Sequence, residues 1–402
     1  MDKIAVVGAG ASGLFCGGLL ANKGYDVTIF DGNEKCGKKI YITGKGRCNL
    51  TNNCTKEQFL SNVVHGDKFM MSPINQFSPQ DTIEFFNSQG LQTKVERGNR
   101  VFPLSDKASD VTKYLVSYAK NCKINLNELV LAIKCEKNDV FNVKTTKNEY
   151  IFDKVIIATG GKSYPATGSK GDGYKFATCF NLNVIPPKSA LVPIKLKDDF
   201  CKTIQGLTLK NVELFAEYDG KKKSFFGEML FTGDGITGPI VLSMSSFISS
   251  SNQVQLWIDL KPALSKEQIE NRLLRDFEQN KNRNLSYIIK GLLPSSLVNI
   301  FLGKCAISGE KKVNSVKTEE RQKIADYLKH FPLHFANLYE IEAGVVTSGG
   351  IDLKEINSKT MESKKIKNLY FIGEVLDIDC LTGGFNLQTA FSTAYTCANN
   401  IN

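Results

Sequence analysis

The sequence has no apolar run long enough for a membrane-spanning helix, which needs about 18 or more consecutive apolar residues. Residues 1–21 are apolar, but they lack a basic start, and glycines at positions 8, 10 and 13 interrupt them. This pattern differs from that of a secretory signal peptide. We therefore expect a soluble, cytoplasmic protein without a membrane anchor.

Closely spaced cysteines and internal repeats are also missing. The chain has 11 cysteines, but they are scattered singly and form no Cys-x-x-Cys pair. Such spacing offers neither a zinc ligand set nor a disulfide framework, so we expect reduced thiols and no metal site. The apolar share of 42% is normal for a globular protein with a packed core.

Acidic residues are fewer than basic ones, which gives the 402-residue chain a net charge of +10. Residues 261–330 contain 14 Lys and Arg against 8 Asp and Glu. A positive segment attracts polyanions such as RNA. The plainer interpretation is a lysine-rich solvated surface.

Short β-branched runs predict strands at residues 4–7, 27–30, 155–158 and 369–372, with a helix at 12–23. A glycine follows residues 4–7 and 369–372 directly and residues 155–158 after one residue, and these runs come from both ends of the sequence. We therefore expect one parallel α/β sheet assembled from distant segments.

The middle of the chain has a different pattern. Residues 192–260 alternate apolar and polar positions, as antiparallel strands do, and residues 261–330 turn helical. Ser265 with Gln268 predicts a capping box at the start of one helix, and Thr318 marks another start less clearly.

The motif at residues 8–13, Gly-Ala-Gly-Ala-Ser-Gly, lies between the first predicted strand and helix. Gly8 permits a tight turn, Gly10 lets the backbone approach a pyrophosphate, and Gly13 lets helix and strand pack closely. Asp31 follows the second strand, where it can bind ribose hydroxyls. The motif in this context predicts a dinucleotide site.

Two further segments distinguish a flavin from a nicotinamide. Residues 44–52 combine glycines with hydrogen-bonding side chains that can approach a flat ring, and residues 373–374 follow a predicted strand. Residues 382–388 lead into a predicted helix at 389–398, whose positive end suits the anionic edge of a reduced flavin.

The sequence resembles a bacterial family of NAD(P)/FAD-dependent oxidoreductases, the aminoacetone-oxidase-like flavoproteins. The resemblance spans nearly the whole chain and rests on residues 8–13, 44–52, 158–165, 168–173, 344–350, 360–363 and 373–388. It implies FAD contacts at Gly8, Gly10, Ser12, Gly13, Asp31, Arg47, Asn49, Gly160, Gly373, Glu374, Gly384, Asn386 and Gln388.

We accordingly predict an α/β fold with a discontinuous Rossmann-type FAD-binding domain, an inserted β-rich, barrel-like domain and a small helical domain. The predicted bounds are 1–190 with 340–402 for the FAD domain, 191–260 with 331–339 for the β-rich domain, and 261–330 for the basic helical domain.

The chain departs from the family pattern at three places. A Thr-His pair usual in the family is absent from residues 231–235, Cys380 replaces a glycine, and Phe385 replaces a tyrosine. If those residues contact substrate in relatives, the substrate of relatives cannot be assumed for this chain.

A second Gly-x-Gly-x-x-Gly pattern occurs at residues 233–238, with Asp259 further on. It could mark a nicotinamide site. Pro239 follows at once, Glu228 interrupts the preceding run, and the segment lies in the predicted β-rich domain. We therefore expect NAD(P)H to bind without a Rossmann domain of its own.

Catalytic residues are not identified by the sequence. Cys48 and Tyr164 are weak candidates, and packing explains each more simply. Nothing in the sequence marks His65 as catalytic.

Three functions are consistent with the sequence. The first is an NAD(P)H-driven reductase that transfers hydride from flavin to a conjugated C=C bond. Its leading substrate is uridine in ribosomal RNA, since the resemblance includes dihydrouridine-forming members, and the next is a small enone. The second is an amine oxidase that releases hydrogen peroxide. The third is a non-catalytic, RNA-associated protein with bound FAD.

Overall fold

The structure is a computed structural model that describes residues 1–249, 251 and 253–401. The chain forms two compact units, one of Met1–Ala190 with Glu340–Asn402 and one of Leu191–Tyr339. Each unit has its own cluster of buried apolar side chains. The second unit contains both the β-rich and the helical segments, and their separation into two domains stays a prediction.

The first unit combines a parallel sheet with several small antiparallel ones. Its elements up to residue 190 are β1 (Lys3–Val7), α1 (Ala11–Asn22), β2 (Asp26–Phe30), α2 (Lys38–Ile42), β3 (Thr51–Asn52), α3 (Lys56–Leu60), β4 (Val63–His65), α4 (Asp67–Gln76), α5 (Pro79–Ser88), β5 (Thr93–Glu96), β6 (Arg100–Pro103), α6 (Ala108–Tyr118), β7 (Lys123–Asn125), β8 (Val130–Cys135), β9 (Phe141–Thr145), β10 (Glu149–Phe152), β11 (Lys154–Ile157), α7 (Asp172–Cys179) and β12 (Val184–Ala190).

The second unit is mainly antiparallel sheet and helix. Its elements are β13 (Ile194–Leu196), β14 (Thr208–Tyr218), β15 (Lys221–Thr232), β16 (Gly235–Thr237), α8 (Pro239–Ile248), β17 (Val254–Asp259), α9 (Lys266–Gln279), α10 (Leu285–Lys290), α11 (Ser295–Lys304), α12 (Thr318–Lys329), β18 (Phe331–Leu333) and β19 (Phe335–Leu338). The chain then returns to the first unit with β20 (Val346–Ile351), β21 (Leu369–Phe371), β22 (Asp379–Cys380) and α13 (Phe385–Asn400).

The parallel sheet of the first unit has the strand order β21-β11-β1-β2-β7. β1 lies between β11 and β2, with Val6 opposite Ile156 on one side and Ile29 on the other. The strands predicted from apolar runs are confirmed, and each end lies within one residue of the predicted one. Central strands of a parallel sheet are buried on both faces, which is why these runs are continuously apolar.

Aromatic packing joins the two helices that begin at glycine-rich turns. Phe15 of α1 and Phe391 of α13 have ring centroids 5.5 Å apart, and both side chains are buried. Phe77 and Phe85 pack on the same ring of Phe15, at 5.3 and 4.8 Å. Full burial of one such side chain contributes about 1.5–3 kcal/mol, so this cluster fixes the two helices together.

In the second unit the antiparallel order is β18-β17-β14-β15-β16-β13-β19. The second glycine pattern, residues 233–238, forms the turn of the β15–β16 hairpin and the short strand after it. A Cβ at Gly235 would lie 2.1 Å from the carbonyl oxygen of Ile194, so this glycine serves close strand packing. An antiparallel hairpin is not the strand-helix unit of a dinucleotide fold.

Of the two helix starts predicted in residues 261–330, the structure confirms one and shifts the cap of the other by one residue. Ser265 forms the predicted capping box, accepting from the backbone nitrogen of Gln268 at 3.1 Å. α12 begins at Thr318, but the capping residue is Lys317, one position earlier than predicted. Glu320 accepts from the backbone nitrogen of Lys317 at 2.8 Å, which explains the shift, and the Lys317 side chain does not cap the helix.

We expect Ser265→Ala to lower the free energy of unfolding of the second unit by about 1 kcal/mol, because the cap bond is lost. Urea unfolding can be followed by the fluorescence of Trp257, the only tryptophan in the chain, which is buried in this unit. Ser295→Ala is the matched control, since Ser295 is exposed and α11 has no side-chain cap. Equal losses in the two variants would contradict the capping role.

Candidate functional site

The motif after β1 is built on backbone contacts that only glycine allows. Gly8 has φ +113°, and a Cβ there would lie 2.5 Å from the carbonyl oxygen of Ala158. A Cβ at Gly13 would lie 1.9 Å from the carbonyl oxygen of Gly8. These contacts draw the start of α1 against the ends of β1 and β11, as the sequence predicts for a dinucleotide fold.

Gly10 differs from its two neighbours in the motif. No atom lies within 4 Å of a Cβ built on Gly10, so its backbone borders open space. Gly10 also precedes α1, and no side chain caps this helix. The free N–H groups at the helix start therefore face a space that an anionic pyrophosphate can fill.

Asp31 lies at the carboxyl end of β2, next to this motif. Its carboxylate accepts from the backbone nitrogens of Ala9 and Asn33, each at 2.8 Å. The Asn33 side-chain amide donates to the same carboxylate, also at 2.8 Å. Asp31 is thus held in place beside the turn, in the position predicted for a ribose contact.

A network of hydrogen bonds surrounds Glu374, which follows β21. The carboxylate accepts from Lys39 Nζ at 2.7 Å, from Ser163 Oγ at 3.1 Å and from the backbone nitrogen of Thr347 at 2.9 Å. Gly373 precedes it with φ +74°, and a Cβ there would lie 2.7 Å from the hydroxyl oxygen of buried Ser12. This network joins α2, β20 and the loop after β11.

The loop after β11 also depends on glycine. Gly160 has φ +73°, and its neighbour Gly161 lies so close to Thr347 that a Cβ would be 2.4 Å from the threonine hydroxyl. That hydroxyl accepts from the backbone nitrogens of Lys162 and Ser163 at 2.8 and 3.0 Å. The loop therefore lies against β20, beside Glu374.

α13 begins at Gly384, which has φ +99° and provides no side-chain cap. A Cβ at Gly384 would lie 2.3 Å from the carbonyl oxygen of Thr51, so the helix start lies tightly against β3. The first residue of α13 is Phe385, four positions before the predicted start at residue 389. Its unpaired N–H groups give the first turn a partial positive charge.

Two residues predicted to contact the cofactor have other partners in the first turns of α13. Asn386 accepts from the backbone nitrogen of Cys380 at 3.0 Å and donates to its carbonyl oxygen at 2.9 Å. Gln388 is fully buried. Its oxygen accepts from Thr51 and Thr82 at 2.6 and 2.8 Å, and its nitrogen donates to the carbonyl of Phe77 and the hydroxyl of Ser392.

The side chains of Asn386 and Gln388 therefore hold the turn and α13 to their neighbours. A direct contact between either residue and a cofactor stays a prediction.

The loop at residues 44–52 places its two predicted contact residues in different surroundings. Arg47 forms ion pairs with Glu96 and Asp106, and its guanidinium carbon lies 4.3 Å from the centroid of the Phe102 ring. The side-chain oxygen of Asn49 is buried and has no hydrogen-bond partner among the described residues. The Arg47 guanidinium is thus paired with two carboxylates, whereas the Asn49 side-chain oxygen can accept a hydrogen bond from a ligand.

The residues present fit FAD. Open space adjoins Gly10, and α1 and α13 begin without side-chain caps. The buried oxygens that lack partners within the described part of the chain include Asn49 Oδ1 and Thr159 Oγ1. Buried polar atoms are rarely left unsatisfied, so a polar ligand accounts for them. The glycines of the motif leave room for the pyrophosphate, and Asp31 lies where the ribose would bind.

The two weak catalytic candidates gain no support from their positions. Cys48 is fully buried, and burial raises the pKa of its thiol to about 12, so the thiol stays protonated at neutral pH. Tyr164 is half-buried with φ +53°, and its backbone nitrogen donates to the carbonyl of Glu342 at 3.3 Å. The packing interpretation is the simpler one for Cys48.

A cluster that the sequence did not reveal lies beside the turn before α13. His65 Nδ1 lies 2.6 Å from Asp379 Oδ1, and the Ser348 hydroxyl donates to the same oxygen at 3.0 Å. Asp379 is fully buried, and the hydrogen bond to it raises the pKa of His65. The only sequence signal is the pair of acidic residues at 377 and 379.

Two negative findings apply to residues 1–249, 251 and 253–401. No helix there is long and apolar enough to cross a membrane. No group of three or more His, Cys, Asp or Glu side chains in the same residues is arranged to hold a metal ion.

Comparison with known proteins extends these observations. The HI0933-like protein Rossmann domain matches residues 2–400. A ribosomal RNA dihydrouridine synthase of Haemophilus influenzae is 33% identical, over 98% of this chain and 97% of that protein. A 3-dehydro-bile acid delta(4,6)-reductase of Clostridium scindens is 29% identical, over 98% of each chain.

Among solved structures, a 3-ketosteroid delta1-dehydrogenase from Sterolibacterium denitrificans aligns with a TM-score of 0.50. The identity is 11%, and the alignment covers 99% of both chains, so the likeness shows a shared fold. The family match supports the Rossmann-type fold of the first unit.

We expect Gly10→Val to fold normally but to bind FAD weakly. The backbone at Gly10 has φ −86°, which any residue adopts, and the new side chain would occupy the space beside the helix start. The FAD content after purification and the thermal unfolding of the flavin-free protein measure the two effects. Gly303→Val in α11 is the control, because a Cβ there also meets open space. Full FAD content in Gly10→Val would contradict the assignment.

We expect Cys48 to resist alkylation in the native protein, because its thiol is buried and protonated. N-ethylmaleimide should modify the exposed Cys135 and Cys179 first, as measured by mass spectrometry of peptides. Modification of Cys48 at the rate of Cys135 would restore it as a reactive candidate.

Proposed function

The chain belongs to the HI0933-like Rossmann family, and we propose that it reduces the conjugated C5=C6 bond of uridine in ribosomal RNA. The enzyme is an FAD-dependent oxidoreductase. The observation that carries the substrate proposal is the similarity to the Haemophilus influenzae synthase, which extends over nearly the full length of both chains.

The geometry of the first unit is consistent with this reaction. FAD, once bound and reduced, supplies a hydride to an electron-poor carbon. The chain contributes the two uncapped helix starts: the start of α1 at Gly10 suits the pyrophosphate, and that of α13 at Gly384 suits the carbonyl edge of the flavin. Glu374 and Lys39 hold the intervening loops in place.

We propose NAD(P)H as the electron donor. The second glycine pattern lies in the β15–β16 hairpin, so the nicotinamide would approach the flavin without a Rossmann unit of its own.

An RNA substrate also requires phosphate contacts, which we assign to residues 261–330. Several cations there are paired, such as Lys266 with Asp326 and Lys311 with Glu320. Arg283 lies over the ring of Tyr287, 5.1 Å from its centroid, and Tyr287 is 54% exposed. A cation beside an exposed aromatic ring suits a phosphate and an unstacked base of RNA.

A small enone is the second candidate substrate. The relative from Clostridium scindens is named for reduction of a bile acid, and its similarity to this chain is nearly as extensive. The C=C bond of an enone and that of uracil are both conjugated to a carbonyl, so one flavin site can serve either compound.

The test is the dihydrouridine content of ribosomal RNA, measured by mass spectrometry of nucleosides from cells with and without the gene. We expect a dihydrouridine signal that disappears on deletion and returns with the wild-type gene. Gly10→Trp should not restore it, because FAD binding is blocked.

An unchanged signal in the deletion strain would remove ribosomal RNA as the substrate. Reduction of enones by the purified enzyme with NAD(P)H would then favour the small-molecule reductase. Amine-dependent hydrogen peroxide would instead favour the oxidase.

A further inference from the structure

The cluster of His65, Asp379 and Ser348 combines three elements that are distant in sequence. β4 pairs with β22, with His65 opposite Asp379, and Ser348 comes from β20. Asp379 Oδ1 contacts the His65 ring nitrogen at 2.6 Å and the Ser348 hydroxyl at 3.0 Å. The carboxylate therefore fixes the orientation of the imidazole, as in other histidine-carboxylate pairs.

The second carboxylate oxygen of Asp379 is an independent sign of a functional site. Asp379 is fully buried, and its Oδ2 has no hydrogen-bond partner among the residues that the structure describes. A buried carboxylate with an unpaired oxygen is costly in a folded protein. A protonated imidazole beside it, or a polar ligand, offsets this cost.

The charged groups around His65 favour its protonated form. The hydrogen bond with Asp379 is the largest influence and raises the pKa of His65, and Asp377 acts in the same direction. Lys188 of β12 opposes them, as does partial burial of the ring. The outcome is a pKa above the ordinary value of histidine, so a larger share of the side chain is protonated near neutral pH.

The cluster is joined to the turn that begins α13. Cys380 follows Asp379, and both polar backbone atoms of Cys380 are bonded to Asn386 in the first turn of α13. Ser348 follows Thr347, which is bonded to Glu374. The cluster thus adjoins the elements that the proposed function assigns to the flavin.

Other protic side chains in this part of the unit are less suited to deliver a proton. Cys48 is fully buried and its thiol is held protonated. Lys39 is bonded to Glu374 and Ser163. The His65 side chain is 48% exposed, so solvent reaches its ring.

We propose that His65 is the proton donor of the reduction and that Asp379 and Ser348 are its positioning residues. This inference rests on the proposed function, since it concerns a C=C bond conjugated to a carbonyl.

In this step one π bond breaks and two C–H bonds form. In uracil, C6 receives the hydride from the reduced flavin, which is oxidised, and C5 receives the proton from His65 Nε2. The imidazole becomes neutral and regains a proton from water at its exposed side, while NAD(P)H reduces the flavin again.

The experiment measures the reoxidation of the flavin in the anaerobic, dithionite-reduced holoenzyme. The probes are 2-cyclohexen-1-one and ribosomal RNA from the deletion strain, mixed with enzyme over a range of pH. We expect His65→Gln to slow reoxidation by about 10²–10⁴-fold with unchanged FAD content, which is the usual contribution of a general acid.

The pH dependence separates the donor from its positioning residues. The wild-type rate should fall as the pH rises through the pKa of His65, because the imidazolium is the reactive form. Asp379→Asn keeps the histidine but removes the charge that stabilises it, so the fall should move to lower pH. An NMR titration of the His65 imidazole should show the same downward shift without any turnover.

His334→Gln is the matched control, since His334 also pairs with an aspartate, Asp198, at 2.8 Å but lies in the second unit. Its rate should equal that of the wild-type enzyme. If His65→Gln reoxidises its flavin at the wild-type rate, the assignment of His65 as proton donor is overturned, while the proposed function still stands. If the wild-type enzyme transfers hydride to neither probe, both proposals are overturned.

Discussion

The close approach of backbone to backbone at the glycine turns is the constraint on which the candidate site depends. At Gly8, Gly13 and Gly384 a single added carbon would lie within 2.5 Å of a carbonyl group. These contacts bring the starts of α1 and α13 against neighbouring strands, and the cap residues of both helices, Gly10 and Gly384, have no side chain. The N–H groups at both helix starts remain available for a ligand with anionic or carbonyl oxygens. The close contacts at the glycine turns thus fix the positions of two helix starts with partial positive charge, both in the first unit.

The dinucleotide motif could be predicted from the sequence because its geometry is local. A strand, three glycines at fixed spacing, a helix and an acidic residue lie within about thirty positions, and each has a single stereochemical role. The parallel sheet could also be predicted, since its buried strands are continuously apolar. The second glycine pattern had the same spacing but different neighbours. It lies in an antiparallel hairpin, as its place in the predicted β-rich segment indicated, whereas Pro239 after it begins a helix.

The rest of the site could not be predicted, because its contacts join residues that are far apart in the chain. His65 and Asp379 are separated by 314 positions, Lys39 and Glu374 by 335, and Thr51 and Gln388 by 337. No periodicity or spacing links such pairs, and a lone histidine carries no signal of its partner. Asn386 and Gln388 could be located from the motif, but their hydrogen-bond partners could not be predicted. Their polar atoms are bonded to other residues of the protein.

The ring contact between Phe15 and Phe391 has a consequence for the biosynthesis of the protein. α1 of the cofactor unit packs on α13, and the second unit is synthesised between these two helices. Because a ribosome adds residues in order, the second unit can fold while the cofactor unit still lacks α13 and β21. The nascent chain therefore acquires a complete flavin site only after α13 has been synthesised, and its early segments must stay soluble until then.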